Sequence, residues 1–311
     1  MATTTAITTT YSGEWAGQYI SAALLSASTL ENGGVEIVPN VDFKHIIQHL
    51  DTDSIVKNST CDFDATSTVT LTERILEVEA AQVNLQLCKK SFWETWQVAE
   101  MGANNGEIPN SFSDYLIGHI SAKVASKIET NLWEGVNANV GEVDGLAVRI
   151  AGDAGLLPAQ TTAAVAGGVN AGNVIAEMGK IVDTLPPALF GKEDLKLYVS
   201  QNVYKSYTRA LGGFAAAGLG ANGYEGRGTN QVLGALYFDG VEVFLAQGLG
   251  ANKMILAQKS NLFFGTSLLS AAQDVRLIDM TPIDLSNNFR FGMTFFQGTQ
   301  IGIIADICLY A

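Results

Sequence analysis

The sequence predicts an α+β fold on three observations. Polar, β-branched residues alternate in its first third, one long amphipathic helix lies near the middle, and an α/β pattern then gives way to a strand-rich tail. The 311 residues suffice for one large or two modest domains.

Residues 1–43 open on Met1-Ala-Thr-Thr-Thr-Ala-Ile-Thr-Thr-Thr, with little helical preference. Gly13, Gly17, Gly33 and Gly34 punctuate the stretch, and Trp15, Tyr19, Ile20, Leu24 and Leu25 form an apolar patch. The segment reads as an extended arm with one short helix. Over 66–88 the chain alternates with period two: Thr66, Thr68, Thr70 and Thr72, then, after Ala80-Ala81, Val83, Leu85 and Leu87. That pattern predicts a strand pair with one weakly apolar face. Two strands alone are marginal in water, so the ribbon is expected to lean on something else.

After the Trp-bearing segment 92–96 and a Gly/Asn/Pro break at 102–109 comes the longest helix, predicted at 111–134. Ser111 with Asp114 resembles a capping box, Phe112, Leu116, Ile120, Val124, Ile128 and Leu132 recur every four residues, and Gly135 ends it. His119, Lys123 and Lys127 form a polar stripe on another side. From about 166, Asn170 or Asn173 caps a helix that Pro186-Pro187 terminates, 195–199 reads as a buried strand, and Ser200 caps a helix over 202–211. A Gly/Ala-rich loop fills 212–228. Asp239-Gly240 marks a type I′ hairpin within 236–243, and 253–257 makes a further strand. The tail is read as strands at 275–280, 289–295 and 301–309.

Forty-seven percent hydrophobic residues exclude a disordered chain, and no run reaches the ~18 apolar residues of a membrane helix. The first basic residue is Lys44, so the apolar piece 20–25 lacks the charged leader of a secretory signal. Cys61, Cys88 and Cys308 are odd in number and far apart, and read as buried thiols in a reducing compartment. A net charge of −13 argues against a chain whose main work is gripping nucleic acid. It is compatible with a wall that encloses nucleic acid without sticking to it.

Catalytic signals are weak. Gly218-Leu-Gly220-Ala-Asn-Gly223 fits the dinucleotide pattern but follows a predicted helix rather than a strand, so it reads as a loop. His45 and His49 are spaced as one helical turn beside Asp42; without a third ligand, a solvated or interface face is favoured over a metal site. His119 reads as structural, and the Ser54-x-x-Lys57 match lacks its partner motifs. No catalytic, cofactor-binding or metal residue is assigned, no cofactor is expected, and the chain reads as non-enzymatic.

The order of elements resembles the major capsid proteins of tailed bacteriophages, the Hong Kong 97 fold. Local stretches are similar too: Thr66-Ser-Thr-Val-Thr-Leu-Thr-Glu-Arg74, Asn131-Leu-Trp-Glu-Gly135, Lys196-Leu-Tyr-Val-Ser-Gln-Asn-Val-Tyr204, Gly240-Val-Glu-Val and Asn252-Lys-Met-Ile-Leu-Ala-Gln-Lys-Ser-Asn-Leu-Phe-Phe-Gly265. The resemblance implies an N-terminal arm at 1–50 and an extended β-ribbon loop over 51–90, lying on an adjacent subunit. It implies a peripheral domain at 91–165 with a spine helix at 111–134, an axial α/β domain at 166–264, and a return to the peripheral sheet at 265–311.

It further implies a homo-oligomeric shell of pentamers and hexamers, with the 212–228 loop near each ring centre, enclosing double-stranded DNA in a virion assembled in the host bacterial cytoplasm. Implied partners are a portal and separate scaffolding or decoration proteins, with no membrane. The Thr-rich opening departs from the charged helical scaffolding segment of some members, and no Lys–Asn cross-linking pair can be named. Two alternatives stay open: an encapsulin-type compartment shell, and a nucleotide-binding α/β enzyme built around 166–264.

Overall fold

The computed structural model describes residues 27–41, 43–52, 56–59, 61, 68–88, 110–211, 236–266 and 276–311, with 110–116 described by backbone alone. In chain order these form α1 (Ser28–Glu31), β1 (Glu36–Pro39), β2 (Lys44–Thr52), β3 (Val69–Glu77), β4 (Glu79–Cys88), α2 (Asn110–Glu134) and α3 (Leu146–Gly152). Then come β5 (Thr161–Thr162), α4 (Val174–Asp183), β6 (Leu195–Val199), α5 (Gln201–Ala210), β7 (Leu236–Phe238), β8 (Val241–Leu245), β9 (Met254–Gln258) and β10 (Leu262–Thr266). The tail holds β11 (Arg276–Asp279), α6 (Thr281–Asp284), β12 (Asn288–Ile301) and β13 (Cys308–Tyr310). No helix among the described residues is long and apolar enough to cross a membrane.

β12 organises the first sheet. It pairs antiparallel with β4 from Asn288↔Cys88 to Gln297↔Glu79. β11 flanks its first residues on the opposite edge, β10 pairs with its last four, and β1 lies parallel to β10. Phe289, Phe291, Met293 and Phe295 alternate along β12 and are all buried, as a one-sided strand requires. The helix α2 covers this core with Ile120, Val124, Ile128, Leu132 and Trp133, so the four-residue spacing read from sequence is the buried stripe.

The second sheet runs β5-β13-β9-β6-β8-β7. Its strands sort their side chains between two cores. Leu195, Leu197, Val199, Met254, Leu256, Cys308 and Tyr310 face α4 and α5, while Tyr198, Ile255, Ala257 and Leu309 join the core under α2. Such full burial on both faces explains why 195–199 and 254–257 read as continuous apolar runs. The β7–β8 hairpin turns at Asp239 and Gly240, both with positive φ, as the Asp-Gly pair predicts.

Four readings need correction. The stretch 66–88 does not fold back on itself: β3 pairs with β2, and β4 pairs with β12. Between Glu77 and Glu79 the chain has only Val78, with no Gly, Pro or Asn to turn on, so it runs on as two extended segments. Residues 44–52, read as arm and helical turn, are a nine-residue strand. Asn173 and Ser200 occupy the N-cap positions of α4 and α5 without side-chain capping bonds; they bond Asn170 N–H and Asn202 instead. Finally, 301–309 is not one strand. The chain breaks at Gly302, and β13 crosses to the second sheet to pair with β9. The arm at 1–26, the segment 89–109 and the loop 212–235 lie outside the described residues.

Candidate assembly surface

β2 and β3 form a separate two-stranded ribbon, registered from Lys44↔Glu77 to Thr52↔Val69. Residues directly opposite in such a pair share a face. One face therefore carries the rungs Lys44/Glu77, Ile46/Ile75, Gln48/Glu73, Leu50/Leu71 and Thr52/Val69. Polar rungs are closed by the Lys44–Glu77 ion pair and by Gln48 Nε2 donating to Glu73 Oε1 at 3.2 Å. The apolar residues of this face, Ile46, Leu50, Val69, Leu71 and Ile75, are 45–63% exposed. Five aliphatic side chains aligned on one face of an unsupported ribbon form a surface suited to docking, since scattered apolar exposure is ordinary but alignment is not. Covering these half-exposed groups would contribute about 5 kcal/mol by the area rule.

The opposite face anchors the ribbon root. Leu76 is fully buried, Gln300 Nε2 donates to Ile75 O at 2.6 Å, and Arg74 pairs with Asp153 at 2.6 Å. A Cβ at Gly298 would stand 2.2 Å from Glu77 O, so only glycine lets β12 pass this close to the root. Burial pushes the Asp153 carboxyl up, but the Arg74 hydrogen bond, the Gly155 N–H and the Arg74 charge outweigh it and hold the group below its ordinary 3.8. A carboxyl depressed on folding contributes its stability above the ordinary value and loses it as pH falls through the folded one. Amide protection along β3 is thus expected to hold at neutral pH and drop below pH 3.8. Asp153→Asn should produce the same loss at pH 7, read by hydrogen exchange corrected for intrinsic rates.

The last turns of α2 are clamped to the second sheet by the loop before β9. Lys253 Nζ meets Glu134 Oε1 and Oε2 at 2.9 and 2.8 Å, and Gly250 N–H donates to Glu134 Oε1 at 3.1 Å. A Cβ at Gly248 would lie 2.0 Å from Glu129 O, so the loop backbone rests directly on the helix backbone. Trp133 packs on Tyr198 at 5.2 Å between ring centroids, and Tyr198 donates its hydroxyl to Gly34 O. Burial pushes the Tyr198 pKa far above its ordinary value, so it remains a neutral donor. The ribbon is thereby carried on a body whose two sheets share one rigid joint.

The residues singled out from sequence do not converge. His45 and His49 lie on a strand, where four residues span about 13 Å, too far for one metal ion. Among the described residues no group of three or more His, Cys, Asp or Glu is placed to hold a metal. His119 is exposed on α2. Cys308 is buried, and burial raises its thiol pKa, but Cys61 and Cys88 are exposed, contrary to the reading of all three as buried. The Gly218–Gly223 pattern and Ser54 lie outside the described residues. What sequence reasoning missed is β2: Ile46, Gln48, Leu50 and Thr52 alternate as a strand should, a signal masked by the helical reading of the two histidines.

No family model matches the chain, and no curated protein matches it. Solved structures do. The capsid of a native GTA particle matches with TM-score 0.58 at 13% identity, over 92% of this chain and 90% of that one. The capsid of Myoviridae phage XM1 matches with TM-score 0.54 at 13% identity, over 91% of each chain. The chain has the capsid fold of tailed phages. A virus-like particle from Pyrococcus furiosus shares this capsid fold, with TM-score 0.51 at 10% identity over 94% of this chain and 96% of that one. More than nine-tenths of the chain is matched in each case.

Proposed function

We propose that the chain is a major capsid protein, a structural subunit that assembles into pentamers and hexamers of an icosahedral phage head around double-stranded DNA. The observation that carries this reading is the aligned apolar face of the β2–β3 ribbon on a chain with a capsid fold. On it, the ribbon lies over the adjacent subunit and each copy covers the next one's exposed rungs, a head-to-tail interface that closes into rings. Contacts of a few kcal/mol each, several per subunit, close a shell while leaving errors reversible. The net charge of −13 keeps enclosed DNA from adhering to the wall.

In the same reading, 1–50 is the arm, 51–90 the extended loop, 91–165 with its spine helix and 265–311 the peripheral domain, and 166–264 the axial domain. The pairing of β2 with β3 and of β4 with β12 favours grouping β2 with the extended loop and β4 with the peripheral sheet. Portal and separate scaffolding or decoration proteins are its further partners. The subunit resides in the virion capsid after assembly in the host cytoplasm.

A second reading is an encapsulin-type shell around protein cargo, and the fold shared with a virus-like particle from Pyrococcus furiosus fits either shell. Negative-stain microscopy of the purified chain should show closed particles, and those taken from producing cells should hold DNA after nuclease treatment. Particles filled with protein alone would favour the second reading, and a dispersed monomer that binds NAD or ATP would overturn both in favour of an enzyme.

A further inference from the structure

Ala27 and Ser28, one side of α2 and the loop at Gln247–Gly248 enclose a cavity of about 340 Å3 that is partly open to solvent. Ala122, Ala125, Ser126 and Thr130 make its small-residue wall. The space has room for a long side chain. The one charged group lining it among the described residues is Glu129, 5% exposed. Its carboxylate accepts from Thr29 N–H at 2.9 Å, from the Thr29 hydroxyl, and from Gly248 N–H at 3.4 Å. All three donors are neutral. Beside it the Ser28 hydroxyl oxygen is buried with no hydrogen-bond partner among the described residues.

A carboxylate in such a place is costly to hold without a counter-charge. Among the described residues no Lys, Arg or His lines the cavity. Of the cations nearby on α2 and the loop, Lys127 pairs with Glu142 and Lys253 with Glu134. Residues 1–26, which lead into Ala27, contain no Lys, Arg or His, so that segment has no basic side chain to offer.

We propose that this cavity is a socket for a Lys or Arg side chain of a second copy of the chain. The inference rests on the shell-subunit reading, which brings copies into contact at high local concentration. The incoming head group pairs with Glu129 and donates to the Ser28 hydroxyl, which lacks a partner among the described residues. Its aliphatic stem lies along Ala122 and Ala125. The socket thus ties an intersubunit contact to the joint between α2 and the second sheet.

Reconstruction of wild-type particles at side-chain resolution should show a neighbouring copy's basic head group within hydrogen-bonding distance of Glu129. Glu129→Gln keeps the size and one acceptor oxygen for Thr29 N–H, so the free subunit should stay folded and melt only a few degrees lower, while its particles dissociate at least about tenfold faster. Solvent, residues of the same chain or a non-identical protein in the socket would overturn the inference. So would Glu129→Gln particles as long-lived as wild type. Particles with an empty socket would leave the shell reading intact, whereas failure to form particles would overturn both.

Discussion

A subunit whose ribbon is trimmed, with residues 46–75 replaced by an Asn-Gly turn joining His45 to Leu76, is expected to fold and to remain dispersed. His45 and Leu76 are directly paired and, two residues along from the Val78 N–H to Phe43 O bond, form a hydrogen-bonded pair, so a two-residue type I′ turn closes the shortened hairpin without shifting its register. Leu76, the fully buried anchor of the root, is retained. The excised strands lose mainly exposed side chains and the Arg74–Asp153 pair. In a chain of this size about 1 kcal/mol corresponds to a melting shift of only a few degrees, so the trimmed subunit should melt within about 5 °C of the parent. Sedimentation velocity should find it monomeric under conditions where the parent forms particles. Removing 66–88 instead should unfold the first sheet, because β4 supplies the long antiparallel partner of β12 and buries Ala81.

Gly248→Ala is expected to cost about 3 kcal/mol, the upper range for overpacking a tight site. The added methyl would meet Glu129 O at 2.0 Å, a backbone atom in the middle of a helix that cannot swing aside. Relief requires lifting the loop off α2, which loosens the Glu134 contacts of Gly250 and Lys253 together. Gly179→Ala, inside α4 with nothing within 4 Å of the new carbon, is the contrasting case and should stabilise by about 0.5–1 kcal/mol. Denaturant titration of the two variants reads both signs. A Gly248→Ala midpoint equal to the parent's would show that loop and helix are not in tight backbone contact.

How far the sequence speaks depends on whether a partner is local. The periodicity of Ile120, Val124, Ile128 and Leu132 marks α2 because a helix satisfies its own backbone, and Asp239-Gly240 marks a hairpin because a turn is a two-residue affair. The tail shows the limit: Phe289 to Phe295 fixes which face of β12 is buried, but says nothing of whether β4, more than two hundred residues earlier, lies beside it. Alternation in 66–88 gave two strands correctly and paired them wrongly for that reason. The apolar rungs were half legible, Val69 and Leu71 belonging to an evident strand while Ile46 and Leu50 lay beside histidines with an equally good helical spacing. Nothing in sequence marks Gly248 or Glu129 as special, since both matter through backbone approach and burial between elements far apart in the chain.

The central claim is that the chain completes its apolar burial only against another copy of itself. Hydroxyl-radical footprinting with mass spectrometry measures it at the side chains concerned, comparing dissociated subunits with assembled particles. Ile46, Leu50, Val69, Leu71 and Ile75 should react readily in the free subunit, in keeping with their exposure, and be protected several-fold on assembly, while Leu76 stays unreactive in both. Equal reactivity of the five in both states would contradict the account.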